Sequence, residues 1–196
     1  MIEKLILATS NQGKVAELAQ LLDGRCEVES RPAGLAETVE DGDTLEANAY
    51  KKALEVAEHA GAVALADDTG LFVDFLGGRP GVRSARFAGV DADDEANVDK
   101  LLAEMGSASQ RTARFRTVMA LVWPGGRHLF VEGSVEGEIG IERRGDSGFG
   151  YDPVFHPAQG DGRAFGQMNK AEKNSISHRG RATKKLLAEL ESLGDG

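Results

Sequence analysis

Apolar residues in this 196-residue chain fall into short runs and helical stripes. Lys4 to Ala8 has the pattern of a buried strand. The polar loop Thr9-Ser10-Asn11-Gln12-Gly13-Lys14 follows. Val15, Leu18, Ala19 and Leu22 then recur at i, i+3, i+4 and i+7, which predicts a helix with one apolar face. A second helix is predicted from Asp43, with Glu46 three residues on as in a capping box and an apolar stripe of Leu45, Ala49, Ala53, Val56, Ala57 and Ala60. Ala62 to Ala66 reads as another buried strand, ending at Asp67-Asp68-Thr69-Gly70. Leu71-Phe72-Val73 either continues that strand or begins a short segment. Asp93 to Met105 reads as a helix. Thr112 to Trp123 and Leu129 to Val135 read as strands paired about Pro124-Gly125-Gly126, with a weaker strand over Glu136 to Glu142. A last helix begins near Ser177 and carries Leu186, Leu187, Leu190 and Leu193, before a Gly194-Asp195-Gly196 tail. The order predicts an α/β fold, a mixed sheet flanked by helices. Neither repeat nor linker divides it, so a single domain over residues 1–196 is expected.

Composition narrows the function. Hydrophobic residues make up 41%, enough for a packed core. The net charge is -9, from 23 basic and 32 acidic residues, and the pI is about 5.0. Such a balance argues against nucleic-acid binding, which needs a broad basic face, but leaves room for a small phosphorylated ligand. The single cysteine, Cys26, excludes an internal disulfide and a cysteine-rich zinc site. The N-terminal stretch lacks the features of a signal peptide, and apolar runs such as Val118 to Trp123 fall far short of the ~20 residues that span a bilayer. A cytoplasmic protein without membrane contact is expected.

Several segments carry candidate chemistry. The Thr9 to Lys14 loop joins a strand to a helix N-terminus, where N–H groups and a lysine suit a phosphate chain. It is not a Walker A loop, because Val15 stands where that motif has serine or threonine, and it also reads as an ordinary turn. Lys52 lies on the apolar stripe of its helix, as a site lysine or a snorkelling one. Asp67-Asp68 follows an apolar run, at the strand end where α/β sheets place ligands. Carboxylates there suit Mg²⁺ or a water proton, although Asp-Asp-Thr-Gly is also good turn chemistry. In a strand, neighbouring side chains face opposite ways, so only one of the pair would enter a site. Glu40, Asp41, Asp43 and Glu46 form a second acidic cluster, of which one member could complete a metal site. Gly148-Phe149-Gly150-Tyr151-Asp152-Pro153 brackets an aromatic ring with glycines, offering a stacking face in a tight loop. Lys173, His178 and Arg179 gather donors near the last helix, where they can meet phosphate or carbonyl oxygens.

Taken together, these segments resemble the Ham1 family of inosine/xanthosine triphosphate pyrophosphatases. The resemblance is carried, in family order, by Ala8-Thr9-Ser10-Asn11-Gln12-Gly13-Lys14, Ala66-Asp67-Asp68-Thr69-Gly70-Leu71, the stretch Pro80 to Gly89, Gly148 to Pro153, and Ser177-His178-Arg179-Gly180. It implies an elongated mixed central sheet flanked by helices, usually a homodimer. It also implies Mg²⁺-dependent hydrolysis of dITP, ITP, XTP or dXTP to the monophosphate and pyrophosphate, which cleanses the nucleotide pool. By motif, Thr9, Ser10, Asn11, Gln12, Gly13, Lys14 and Lys52 would hold the triphosphate. Asp68 would be the general base or a metal ligand, Glu40 would help hold Mg²⁺, and Asp67 is a further possible ligand. Thr69 would touch substrate. Phe149 would stack on the base, with Gly150, Tyr151 and Asp152 lining its pocket, and Lys173, His178 and Arg179 would read the purine's six-position oxygen. Together the lysines and Arg179 would form a positive pocket in an acidic protein.

The chain departs from the family at Thr44-Leu45-Glu46-Ala47-Asn48-Ala49, where leucine replaces a phenylalanine and the glutamate moves by one position. Arg83 stands where an aromatic or apolar residue is common, and Phe87 where tyrosine is. Two other readings are a Maf-like pyrophosphatase of pyrimidine or modified nucleotides and a non-catalytic nucleotide-binding module. The Phe149 loop and His178-Arg179 oppose the first. Asp67-Asp68 and the lysines oppose the second.

Overall fold

A computed structural model describes residues 4–194. Met1, Ile2, Glu3, Asp195, Gly196 and the side chain of Leu193 lie outside the described residues. The elements are β1 (Lys4–Leu7), α1 (Gln12–Leu22), β2 (Glu27–Glu29), α2 (Leu45–Ala60), β3 (Ala64–Val73), β4 (Pro80–Gly81), α3 (Asp94–Met105), β5 (Thr112–Val122), β6 (His128–Ile139), β7 (Phe155–Pro157), α4 (Lys170–Ile176) and α5 (His178–Gly194). The strands form a seven-stranded mixed sheet of order β2-β1-β3-β5-β6-β7, with β4 on β3. β1 is parallel to β2 and β3, whereas β4 and β7 pair antiparallel with β3 and β6.

The chain resolves into two compact units. Unit 1 takes the chain up to Asp68, Thr117–Gly133 and the chain from Arg179. Its core packs Leu5, Leu7, Leu18, Leu65, Met119 and Leu186. Unit 2 takes Thr69–Arg116 and Ser134–His178, around Leu71, Leu101, Phe115, Ile139, Phe155 and Phe165. Among the described residues no helix is long and apolar enough to cross a membrane.

Local chemistry explains where the elements begin, and corrects several sequence expectations. α1 starts on Asn11, whose side chain accepts from the Lys14 N–H, so Gln12-Gly13-Lys14 already form its first turn. The helix buries Glu17 with Leu18 and Leu22, while Ala19 is exposed. Thr44 rather than Asp43 caps α2, its hydroxyl accepting from the Ala47 N–H at 3.1 Å. β3 runs straight through Asp67-Asp68-Thr69-Gly70 instead of turning there. Pairing with β1 at its start and β4 at its end outweighs the local turn preference. At Gly70 a Cβ would fall 2.7 Å from the Gly81 carbonyl, so a glycine lets β4 come this close. β6 is continuous to Ile139 and absorbs the weak strand expected from Glu136. Helix α4, unforeseen in the sequence, carries Lys173, and Ser177 is its C-terminal cap in extended conformation before α5.

The capping assignment has a direct test. Thr44→Ala should lower stability by ~1 kcal/mol in urea unfolding, within the usual 0.5–2 range. Asp43→Ala should stay within ~0.5 kcal/mol of wild type.

Candidate active site

In unit 1 the site forms where the end of β1, the start of α1 and the middle of β3 meet. The Thr9 hydroxyl accepts from the Asn11 N–H at 3.2 Å, the Gln12 amide donates to the Ser10 carbonyl at 3.3 Å, and the Ser10 hydroxyl donates to Glu37. These bonds shape the loop and aim Lys14 inward. Lys14 Nζ lies 3.2 Å from Asp67 Oδ2 and 3.4 Å from the Asp67 carbonyl oxygen. Lys52, buried on α2, donates to the same carbonyl at 2.7 Å and to Glu40 Oε1 at 2.6 Å, and stands 3.4 Å from Asp68 Oδ1. Both lysines therefore converge on one backbone oxygen.

Strand alternation sends the two aspartates to different partners. Asp67 is fully buried, and its Oδ2 accepts from Arg179 Nη2 at 2.9 Å and Nε at 3.2 Å. Arg179 is also buried and gives its remaining nitrogen, Nη1, to Glu17. Asp68 faces Lys52 and accepts on Oδ2 from Asn48 Nδ2 at 3.1 Å.

Their environments drive the acids apart. Burial pushes the Asp67 carboxyl up, but Lys14, Arg179 and Lys52 outweigh it and hold it far below the usual range. At Asp68 burial prevails over Lys52 and Lys14, so its carboxyl is raised. The lysines split as well. Burial takes Lys14 below its ordinary value despite Asp67. Burial also opposes the charge on Lys52, but Asp68, Glu40 and Asp67 outweigh it and its value is raised.

The expected positive pocket is therefore corrected in kind, because each cation arrives already paired with carboxylates. Among the described residues no three His, Cys, Asp or Glu side chains gather as a ready metal site. Glu40 and Asp68 do flank one point, the Lys52 ammonium. Two carboxylates with substrate oxygens and water suit Mg²⁺, which rarely takes an all-protein cage. Asp67, the possible third ligand, is instead engaged with Arg179 and Lys14.

Unit 2 holds the Phe149 loop. Gly148 has φ +81° and a Cβ there would fall 2.1 Å from Asp152 Oδ2, so only glycine fits. That oxygen accepts from the Phe149 N–H at 2.9 Å and from Lys173 Nζ at 2.6 Å. Lys173 Nζ also lies 4.7 Å from the centroid of the half-buried Phe149 ring. The Gly150 N–H donates to Asp94 at 2.7 Å. Tyr151 is buried and its hydroxyl donates to the Ser84 carbonyl at 2.8 Å, with burial raising its pKa. Asn97 of α3 binds Ala85 and Ala88, so the Pro80 to Gly89 stretch acts as a brace for this loop. His178 stacks on Phe115 with centroids 4.7 Å apart.

Of the three donors, Lys173 and His178 belong to unit 2, while Arg179 belongs to unit 1 and directs its guanidinium at Asp67 and Glu17. Sequence reasoning missed Glu17 and Asn48. Asn48 stands four residues before Lys52 on the same apolar stripe, the signal that singled out the lysine. Glu17 stands three after Lys14, beside the buried Leu18.

The description "Ham1 family" belongs to a family model that matches residues 5–189. The chain is similar to the dITP/XTP pyrophosphatase of Desulforamulus reducens, 50% identical with 97% of this chain and 96% of that one covered. It is 46% identical to the dITP/XTP pyrophosphatase of Bacillus subtilis, covering 98% of this chain and 99% of that one. Among solved structures, a HAM1 protein from Coxiella burnetii superposes with a TM-score of 0.87 at 37% identity, covering 96% of this chain and 98% of the other.

The ion-pair network predicts a pH-dependent stability. Arg179→Met leaves Asp67 and Glu17 without their guanidinium and should cost ~3–5 kcal/mol at neutral pH. Asp67 has a depressed folded-state value, so its ionisation stabilises the fold above its unfolded pKa of about 4, and that contribution fades as pH falls below it. The stability gap between wild type and Asp67→Asn should narrow below about pH 4 in urea unfolding.

Proposed function

We infer that this chain, which belongs to the Ham1 family, hydrolyses noncanonical purine nucleoside triphosphates (dITP, ITP, XTP and dXTP) to the monophosphate and pyrophosphate. The observation that carries this reading is the convergence of Lys14 and Lys52 on the Asp67 carbonyl, beside an Asp68 whose carboxyl is raised. A half-buried lysine in the first turn of α1 beside the buried Lys52 suits a polyphosphate, and a carboxylate of raised pKa is a stronger base toward water.

The residues then divide the work. The Thr9 to Lys14 loop and Lys52 hold the triphosphate, and Thr69 touches substrate. Asp68 accepts a proton from water as the water oxygen attacks phosphorus. The bridging P–O bond breaks and pyrophosphate leaves toward the lysines. Glu40 and Asp68 are the residues that would hold Mg²⁺. When bound, it would supply charge neutralisation for the phosphate oxygens. Arg179 and Glu17 act through Asp67, fixing the strand and Lys14, in place of the direct contact with the base that the motif implies.

Recognition of the base falls to the Phe149 loop and the donors near it in sequence. Phe149 stacks on the purine, and Gly150, Tyr151 and Asp152 shape its pocket. Asp152 holds and aims Lys173, so that Lys173 and His178 donate to a six-position carbonyl. The amino group of adenine cannot accept those bonds, and sites built on such donors discriminate by up to ~10⁴–10⁵. A homodimer in the cytoplasm completes the proposal, and sedimentation measures its oligomeric state.

The test is pyrophosphate release with Mg²⁺ or EDTA from dITP, XTP, dATP, dGTP and dTTP. Rapid, EDTA-sensitive release from dITP and XTP alone is expected. Release chiefly from dTTP would overturn the reading. Asp68→Asn should lose at least ~10²-fold, the lower end for a general base. Turnover within about tenfold of wild type would remove Asp68 from that role.

A further inference from the structure

Asn48 has no part in the assignments above, yet it is 1% exposed and touches both Asp68 and the loop that carries Glu40. Its Oδ1 accepts from the Gly42 N–H at 2.8 Å, and its Nδ2 donates to Asp68 Oδ2 at 3.1 Å. The amide orientation follows from chemistry: a backbone N–H only donates, so the amide oxygen must face Gly42 and the nitrogen must face the carboxylate. We propose that Asn48 is a positioning residue that reserves one oxygen of Asp68 for the reaction and ties the loop carrying Glu40 to it.

A carboxylate has two equivalent oxygens and, unrestrained, turns either toward water. Asn48 occupies Oδ2. Oδ1 is left facing Lys52, at a distance of 3.4 Å that leaves room for a second partner. Asn48 and Lys52 lie one helical turn apart on α2, so a single rigid face delivers the amide and the ammonium to the two oxygens of one side chain. The other half of the amide reaches Gly42, two residues from Glu40. Backbone and helix meet closely here: a Cβ at Gly42 would fall 2.7 Å from Asn48 Oδ1 and 3.0 Å from Ala47 Cβ. A misplacement of about 1 Å at a reacting group can cost ~10²-fold in rate, so this tie is an effective lever on turnover.

The proposal rests on Asp68 as the base, and the experiment separates the two. Asn48→Leu keeps the approximate volume and removes both hydrogen bonds. Gly42→Ala leaves Asn48 in place but drives its amide oxygen aside, a small displacement for the end of a side chain. Wild type and both variants are compared for kcat and KM on dITP, with circular dichroism and thermal unfolding as folding controls. We expect kcat to fall at least ~tenfold in each folded variant while KM stays within about threefold, since the lysines that hold the triphosphate are untouched. A folded variant of either kind with kcat within about threefold of wild type, or one altered only in KM, overturns the proposal. Should Asn48→Leu fail to fold, Gly42→Ala decides alone. If wild type itself releases no pyrophosphate, the functional reading fails. The bridge is then judged from the Asn48 side-chain amide protons, identified by their absence from the NMR spectrum of Asn48→Leu. Slow solvent exchange that is lost in Gly42→Ala upholds the bridge, and fast exchange in wild type overturns it.

Discussion

The site depends on a carboxylate that no water reaches. Asp67 is fully buried, and an isolated buried carboxylate is so costly that it would normally be protonated. Arg179 removes that option, because a guanidinium remains charged and binds Asp67 through two of its nitrogens. Glu17 takes the third nitrogen and closes the network onto α1, the helix that also bears Lys14. The middle of β3, the start of α5 and the first turns of α1 are thereby joined through charge rather than through apolar packing alone. Removing any one member leaves a buried charge behind, a larger penalty than the pair's own net contribution.

This network leaves the two lysines unequal. Lys52 is surrounded by Glu40, Asp68 and the Asp67 carbonyl, and its charged form is favoured. Burial weighs most on Lys14, and repulsion from Lys52 and Arg179 adds to it, so despite Asp67 its charged form is disfavoured. Of the cations, Lys14 stands to gain most from an arriving anion. The two aspartates diverge in the same way, one held ionised as a clamp and the other raised by its burial. Neighbouring acids pushed apart by their surroundings mark a division of roles.

Much of this arrangement was legible in the chain. Lys52 stood out because a lysine on an apolar stripe requires a partner, and the alternation rule foretold that Asp67 and Asp68 would part. The rule applied only because β3 continues through them, and turn statistics opposed that. The deciding force was pairing with β1 and β4, which no local window contains. The Asp43 cap failed for a smaller reason: Thr44 offered an equivalent oxygen one residue later. Glu17 and Arg179 were illegible as a pair because 162 residues separate them. Nothing local in the motif that holds Arg179 pointed to Asp67 or Glu17 as its partners. Asn48 was within reach, since the stripe that exposed Lys52 includes it.

The net charge of -9 takes on a more definite meaning beside this geometry. Long-range attraction does not bring a polyanion to such a surface, and at physiological salt charges interact over only ~8 Å. Any preference for phosphate must therefore come from short-range donors whose hydration has already been removed by folding. Lys52, buried on α2, meets that condition, and the half-buried Lys14 approaches it with its ammonium held against Asp67. Their carboxylate partners serve the same end. They hold both ammonium groups in position as donors for a phosphate group, while the chain's net negative charge disfavours extended nucleic acids.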